Sequence, residues 1–248
     1  RGPKAKPGGK DAAAEGAAQA SESWKTGDGT FSLLASMPSK QGEPPQVWGA
    51  AFSSYVECRL TKDGRAVGQF LTYGIQHLTV WGVDEGEWKA AAGSFGAKNL
   101  ENVSAAVWVN AERVVTGHPS GKLGVWSITT ESQDPNAPPL AVAEVKLLRL
   151  MPGHATGPVV QLPNGTQTFG GVRCLKLRQD RKTLLSAGAD GKVHTWKVDA
   201  GDTGPIKVEL AQSKAYSLTS PYQNEPPPSF RGLDSLPGSD VFVAGTNK

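Results

Sequence analysis

Residues 184–196 read LLSAGADGKVHTW, and residues 114–126 read VVTGHPSGKLGVW. In each, a short apolar run reaches a turn, and a second run closes on tryptophan. Gly191 stands five residues before Trp196, as Gly121 does before Trp126. Asp190 with Gly191, and Ser120 with Gly121, mark β-hairpins, because glycine supplies the positive φ that a tight strand-to-strand turn needs; a two-residue turn is expected. A looser copy, residues 70–81, FLTYGIQHLTVW, has a turn one residue shorter and His77 where the others carry Gly.

From Trp81 to Trp126 the step is 45 residues, and from Trp126 to Trp196 it is 70. A period of about 40–45 residues with four strands per unit belongs to a propeller blade. Two Pro- and Gly-rich insertions, 131–140 and 155–170, account for the longer second step, and both are expected to be loops, the second at a rim. The fold class expected is therefore all-β, a β-propeller with about three and a half four-stranded blades. They are placed at about 47–94, 95–150 and 151–229, with an incomplete one at 230–248. Sheets of this kind cannot bury both faces alone and stack against their neighbours. In the closing strand of the second blade, Leu123 and Val125 face one way and Trp126 the other, which suits a strand covered on both sides.

Composition agrees with a turn-rich β protein: 248 residues with 30 Gly and 18 Pro, and no helical stripe of useful length. The chain starts at Arg1 without a Met and is expected to be an internal piece of a larger, tandem propeller. No apolar run approaches the roughly 18 residues a membrane-spanning helix requires. Cys58 and Cys174 are expected to be buried free thiols in a reducing compartment. A zinc site is not expected, since the four histidines form no paired spacing with either cysteine.

Residues 1–29 differ in kind. The first ten carry Arg1, Lys4, Lys6 and Lys10 and no acid, and an Ala-rich run follows. Too little here is large and apolar to offset the entropy of ordering, so 1–22 is expected to lack fixed structure and 1–29 to form an arm or linker. The whole chain sums to +3 and its first ten residues to +4, which leaves the remainder at −1. Attraction to an acidic partner would be concentrated in the arm. Residues 30–248 are expected to hold the propeller.

Gly153 and His154 ahead of the third blade, with Trp196 at its end, resemble the Gly-His…Trp-Asp frame of WD repeats, although Lys197 replaces the final Asp. That resemblance implies a structural tetrad, His154, Ser186, Asp190 and Trp196, hydrogen-bonded in a chain, and it implies the full tetrad in the third blade only. A narrower similarity runs through residues 73–81, Gly93–Ser94–Phe95–Gly96, residues 115–126 and the terminal VFVAGTN, which resemble the echinoderm microtubule-associated-protein-like family. It implies a non-catalytic scaffold whose partners are tubulin, microtubules or microtubule-associated proteins, bound through propeller loops and the four basic residues of the arm. It also implies a cytoplasmic, cytoskeletal location, including cilium or centriole. A general WD-repeat adaptor without tubulin contact is the alternative.

Catalytic residues are not expected. The sequence has no phosphate-binding loop, dinucleotide fingerprint or Gly-x-Ser-x-Gly elbow. Asp63, Asp180 and Asp190 are each explained by a turn, and His118 and His194 by places on hairpin arms. No cofactor, metal, small-molecule substrate, nucleic acid or membrane is called for.

Overall fold

The structure, a computed structural model, describes residues 47–56, 66–84, 87–95, 101–131, 141–156, 171–216 and 230–246, and the backbone of a few short strands outside them. The chain divides into two compact units, residues 1–42 and 43–248. In the first, β1 (Ser23–Thr26) pairs antiparallel with β2 (Gly29–Ser32), Trp24 opposite Phe31. Strand structure thus begins inside the stretch expected as an arm. The expected disorder of 1–22 lies outside the described residues.

The second unit opens with β3 (Val47–Phe52), β4 (Arg59–Leu60), β5 (Ala66–Val67), β6 (Gln69–Gly74), β7 (His77–Asp84) and β8 (Glu87–Ser94). It continues with β9 (Ala105–Asn110), β10 (Arg113–Gly117), β11 (Lys122–Glu131), β12 (Ala141–Pro152), β13 (Val159–Leu162) and β14 (Gly165–Thr168). It closes with β15 (Val172–Leu177), β16 (Thr183–Gly188), β17 (Lys192–Ala200), β18 (Ile206–Ala215), β19 (Phe230–Ser235) and β20 (Phe242–Thr246). β3, β6, β7 and β8 form one antiparallel blade, β9 to β12 a second and β15 to β18 a third, while β19 and β20 pair as a further two-stranded sheet. A short parallel contact between β8 and β12, at Gly93 and Val145, joins the first two blades edge to edge. The 155–170 insertion, expected as a loop, contains the paired strands β13 and β14. Its Val159-Val160 and Thr166-to-Thr168 runs supply the β-prone residues. Of the 131–140 insertion, expected as a loop, Glu131 is instead the last residue of β11, and the rest, like the turn expected at Asp63, lies outside the described residues.

Each core lies between consecutive blades. Leu71, Leu78 and Val80 of the first blade meet Val114, Trp126, Ile128 and Val145 of the second. Val115, Leu123 and Val125, on the opposite face of that same blade, meet Leu184, Trp196 and Val208 of the third. Cys174, Ala187 and Val193 then meet Phe230. The period-2 alternation of a strand sends successive side chains into two different cores, so β11 is buried on both faces from Leu123 to Trp126. Burying a large apolar side chain fully contributes roughly 1.5–3 kcal/mol, and these residues join blades that share few ladder hydrogen bonds.

The hairpin loops correct the expected two-residue turn. Gly191 N–H bonds back to the Gly188 carbonyl (3.3 Å), and Gly121 N–H to the His118 carbonyl (2.9 Å). Both glycines sit in the left-handed region, at φ 71° and 83°. Glycine therefore follows the turn, as in the longer hairpin loops with a bulge residue, rather than standing at its centre. A two-residue turn occurs in the shorter copy, where Gly74 pairs with His77 and Gln76 takes φ 45°.

Candidate functional site

Strand register builds the same corner three times. Trp81, Trp126 and Trp196 lie opposite Phe70, Val114 and Leu184. Two residues further along each partner strand, on the same face, stands a hydroxyl: Thr72, Thr116 and Ser186. The indole N–H donates to it, at 3.1 Å for Trp81, 2.8 Å for Trp126 and 2.8 Å for Trp196. An imidazole Nε2 meets the same oxygen at 2.8 Å in all three: His77, His118 and His154. Each buried indole N–H needs an acceptor, and each link polarises the next.

Proton positions follow from the partners in two blades. Nδ1 of His154 lies 2.9 Å from Asp190 Oδ1, and Nδ1 of His118 lies 3.0 Å from the Asn102 carbonyl. Both oxygens only accept, so each Nδ1 carries the proton, and the neutral ring's Nε2 accepts from the hydroxyl. The third-blade chain therefore runs in one direction, from Trp196 N–H through Ser186 O–H and His154 N–H to the Asp190 carboxylate. Asp190 is held by two further bonds: its Oδ2 accepts the N–H of Ala155, on the connector that brings His154 in (3.1 Å), and its Oδ1 accepts the Lys192 N–H (3.1 Å). Burial alone would raise the Asp190 pKa, but the His154 bond and these backbone donors hold it below the usual carboxylate range.

The structure thus brings His154, Ser186, Asp190 and Trp196 into one line, and it places comparable relays in the first and second blades, which sequence reasoning missed. A signal was present: Thr72 and Thr116 precede their tryptophans by nine and ten residues, as Ser186 does by ten. The histidines hid the likeness, since they arrive from a strand start, a strand end and a preceding connector. Arg1, Lys4, Lys6 and Lys10 lie outside the described residues, as does Cys58. Cys174 is a buried free thiol whose pKa burial pushes up to about 11.

Ser186, His154 and Asp190 have the hydrogen-bond order of a Ser-His-Asp catalytic triad. The hydroxyl, however, is fully buried and already accepts the Trp196 N–H. A substrate carbonyl has no approach to it, and nucleophilic attack requires one. Beside the relay, His194 stacks on His154 with ring centroids 4.1 Å apart and planes 15° from parallel. It is 6% exposed, and among the described residues neither of its ring nitrogens has a hydrogen-bond partner. Burial, with His154 adding to it, lowers the His194 pKa to about 4.

At the other end of the blades the inner strands β3, β9 and β15 face a cavity of about 320 Å3. Trp108 N–H donates to the Ala51 carbonyl across it (3.1 Å), and Tyr55 O–H donates to the Val109 carbonyl. Arg181, at φ 54°, lays its guanidinium 4.6 Å from the Tyr55 ring centre. Asp180 pins that loop by accepting the N–H groups of Lys182 and Thr183 and the Thr183 hydroxyl.

Sequential four-stranded sheets, cores between them and an indole–hydroxyl–imidazole relay in each blade belong to one architecture. The fold is a WD-repeat β-propeller. No protein-family model and no curated protein matches the sequence. Among solved structures the chain is similar to the β-propeller domain of Myceliophteria thermophila Cps50 (Swd1), at 14% identity and TM-score 0.47, over 72% of this chain and 49% of that one. It is also similar to U3-55K, at 15% identity and TM-score 0.44, over 73% and 45%. A third is the RRP9 WD40 repeats, at 15% identity and TM-score 0.44, over 73% and 44%. The chain spans about half the length of these propellers.

Proposed function

We propose that this propeller is a non-catalytic protein-interaction scaffold. The observation that carries the reading is the burial of Ser186 beneath Trp196: the hydroxyl–imidazole–carboxylate chain of the third blade is spent on holding a connector to its blade. What remains for partners is the surface formed by loops at the two ends of the blades. The aromatic and basic end around Tyr55, Trp108 and Arg181, with its pinned loop, offers one such surface.

The partner proposed is the microtubule or a protein bound to it, in a cytoplasmic, cytoskeletal setting. The resemblance of residues 73–81 and 115–126 supports that reading, and the four cations Arg1, Lys4, Lys6 and Lys10 suit acidic tubulin tails. At about 0.15 M salt the screening length is roughly 8 Å, so loose arm contacts weaken with added salt while contacts covered by propeller loops persist. Cosedimentation with stabilised microtubules over a salt series, with and without residues 1–29, tests it. Two components are expected, and removing 1–29 should abolish only the salt-sensitive one. Absence of any binding by the propeller at low salt would leave the general adaptor as the surviving reading.

A further inference from the structure

We propose that His154, Asp190 and His194 form a zinc site that clips the connector ahead of the third blade to that blade's β16–β17 turn. The three residues come from different places: His154 from the connector, Asp190 from the turn and His194 from β17. Their ligating atoms all lie within 4.8 Å of one another. Tetrahedral donors about 2.0–2.1 Å from zinc stand roughly 3.3 Å apart, so the ligating atoms are near the spacing an ion needs, and it is the orientation of the His194 ring that has to change. No spacing rule in the sequence exposes the group, since the ligands are neither paired nor accompanied by cysteine.

Three features favour an ion here. The first is His194, a nine-tenths-buried imidazole with neither nitrogen hydrogen-bonded among the described residues. Leaving such a group unpartnered is costly, and a ligating lone pair removes part of that cost. The second is outer-sphere support: Asp190 is aimed by the Ala155 and Lys192 N–H groups, and His154 by Ser186, which is itself held by Trp196. Ligands oriented in this way by partners of their own are typical of protein zinc sites. The third is access. Ala155, against Asp190, is exposed, so a water molecule can complete the fourth position from that side.

Binding asks for two adjustments. Zinc lies in the plane of each imidazole it binds, and rings stacked 15° from parallel do not share one, so His194 must turn out of the stack. Zinc also takes the place of the His154 Nδ1 proton. That proton passes to Nε2, where it donates to Ser186 Oγ, and the serine O–H rotates away. The ring stays neutral and no proton is lost in the exchange.

The test titrates zinc chloride into the EDTA-treated full chain by calorimetry at pH 7.5, with thermal melting and histidine-selective NMR alongside. The expected result is one zinc per chain lost, or weakened at least tenfold, in both His194→Ala and His194→Phe, the second of which keeps a flat ring in the stack. Zinc should raise the melting midpoint of the parent only. In the parent, the signals of two of its four imidazoles should shift, and those of His77 and His118 should not. No zinc uptake by the parent, unshifted His154 and His194 signals, or undiminished affinity in His194→Phe would overturn the proposal.

Discussion

Replacing Thr116 with valine tests whether the second-blade relay carries stability. The change keeps the branched shape and substitutes a methyl for the hydroxyl, at a site with no exposure. It strands two buried groups at once: the Trp126 N–H, which donates to that oxygen at 2.8 Å, and the His118 Nε2, 2.8 Å from it. One buried polar group left unsatisfied costs about 1–3 kcal/mol, so the pair should cost on the order of 2–5 kcal/mol. That is a large share of the roughly 5–15 kcal/mol that holds a typical domain folded. Urea unfolding followed by tryptophan fluorescence should show the midpoint falling by about 1 M or more, given slopes of roughly 1–3 kcal/mol per molar urea. Thr129→Val, at an exposed position of the neighbouring strand, is the control and should be near neutral. If Thr116→Val unfolds at the same urea concentration as this control, with equal slopes, the relay is a geometric coincidence and contributes nothing.

In the third blade, Trp196→Ala should destabilise by about 3–5 kcal/mol through the cavity it leaves, and His154→Ala by about 1–3 kcal/mol through the partners it strands; chemical denaturation measures both. A Cβ on Gly188 would stand 2.3 Å from His154 Nδ1 and 2.6 Å from Asp190 Oδ1, whereas one on Gly245 meets nothing within 4 Å. Gly188→Ala should thus lower the melting midpoint and Gly245→Ala should not. Burial depresses the His118 pKa, and that of His194 to about 4, so both rings resist protonation in the fold while the unfolded chain takes up protons near the ordinary imidazole value of about 6.5. Stability from these rings is complete above about pH 6.5 and falls progressively as pH drops towards 4. The depressed Asp190 pKa adds a further loss from about pH 4 downwards, beginning near the unfolded carboxylate value. His194→Phe should flatten the first part of that fall, which melting curves across pH 4–7 would show. The Cys174 thiol, buried with its pKa near 11, should resist iodoacetamide in the folded chain and react on unfolding.

Sequence alone determined the repeating unit. Hairpin, closing tryptophan and blade spacing are local or periodic signals, written in residues that contact their own near neighbours. The pattern at Leu123, Val125 and Trp126 likewise announced a strand covered on both faces, because side chains alternate strictly along a strand. Tertiary structure decided what the histidines do. His77, His118 and His154 reach equivalent hydroxyls from three different sequence positions, so spacing exposed only the one that matched a known frame. The Ser-His-Asp order in the third blade would suggest a nucleophile on chemistry alone, and it is the packing of Trp196 over Ser186 that closes it off. The meeting of His154, Asp190 and His194 is also a product of folding, since a connector, a turn and a strand converge only when the blade is assembled. Local pattern sets which strands form; which polar groups are buried together depends on how the blades stack, and burial together with the hydrogen bonds made there gives those groups their shifted pKa values.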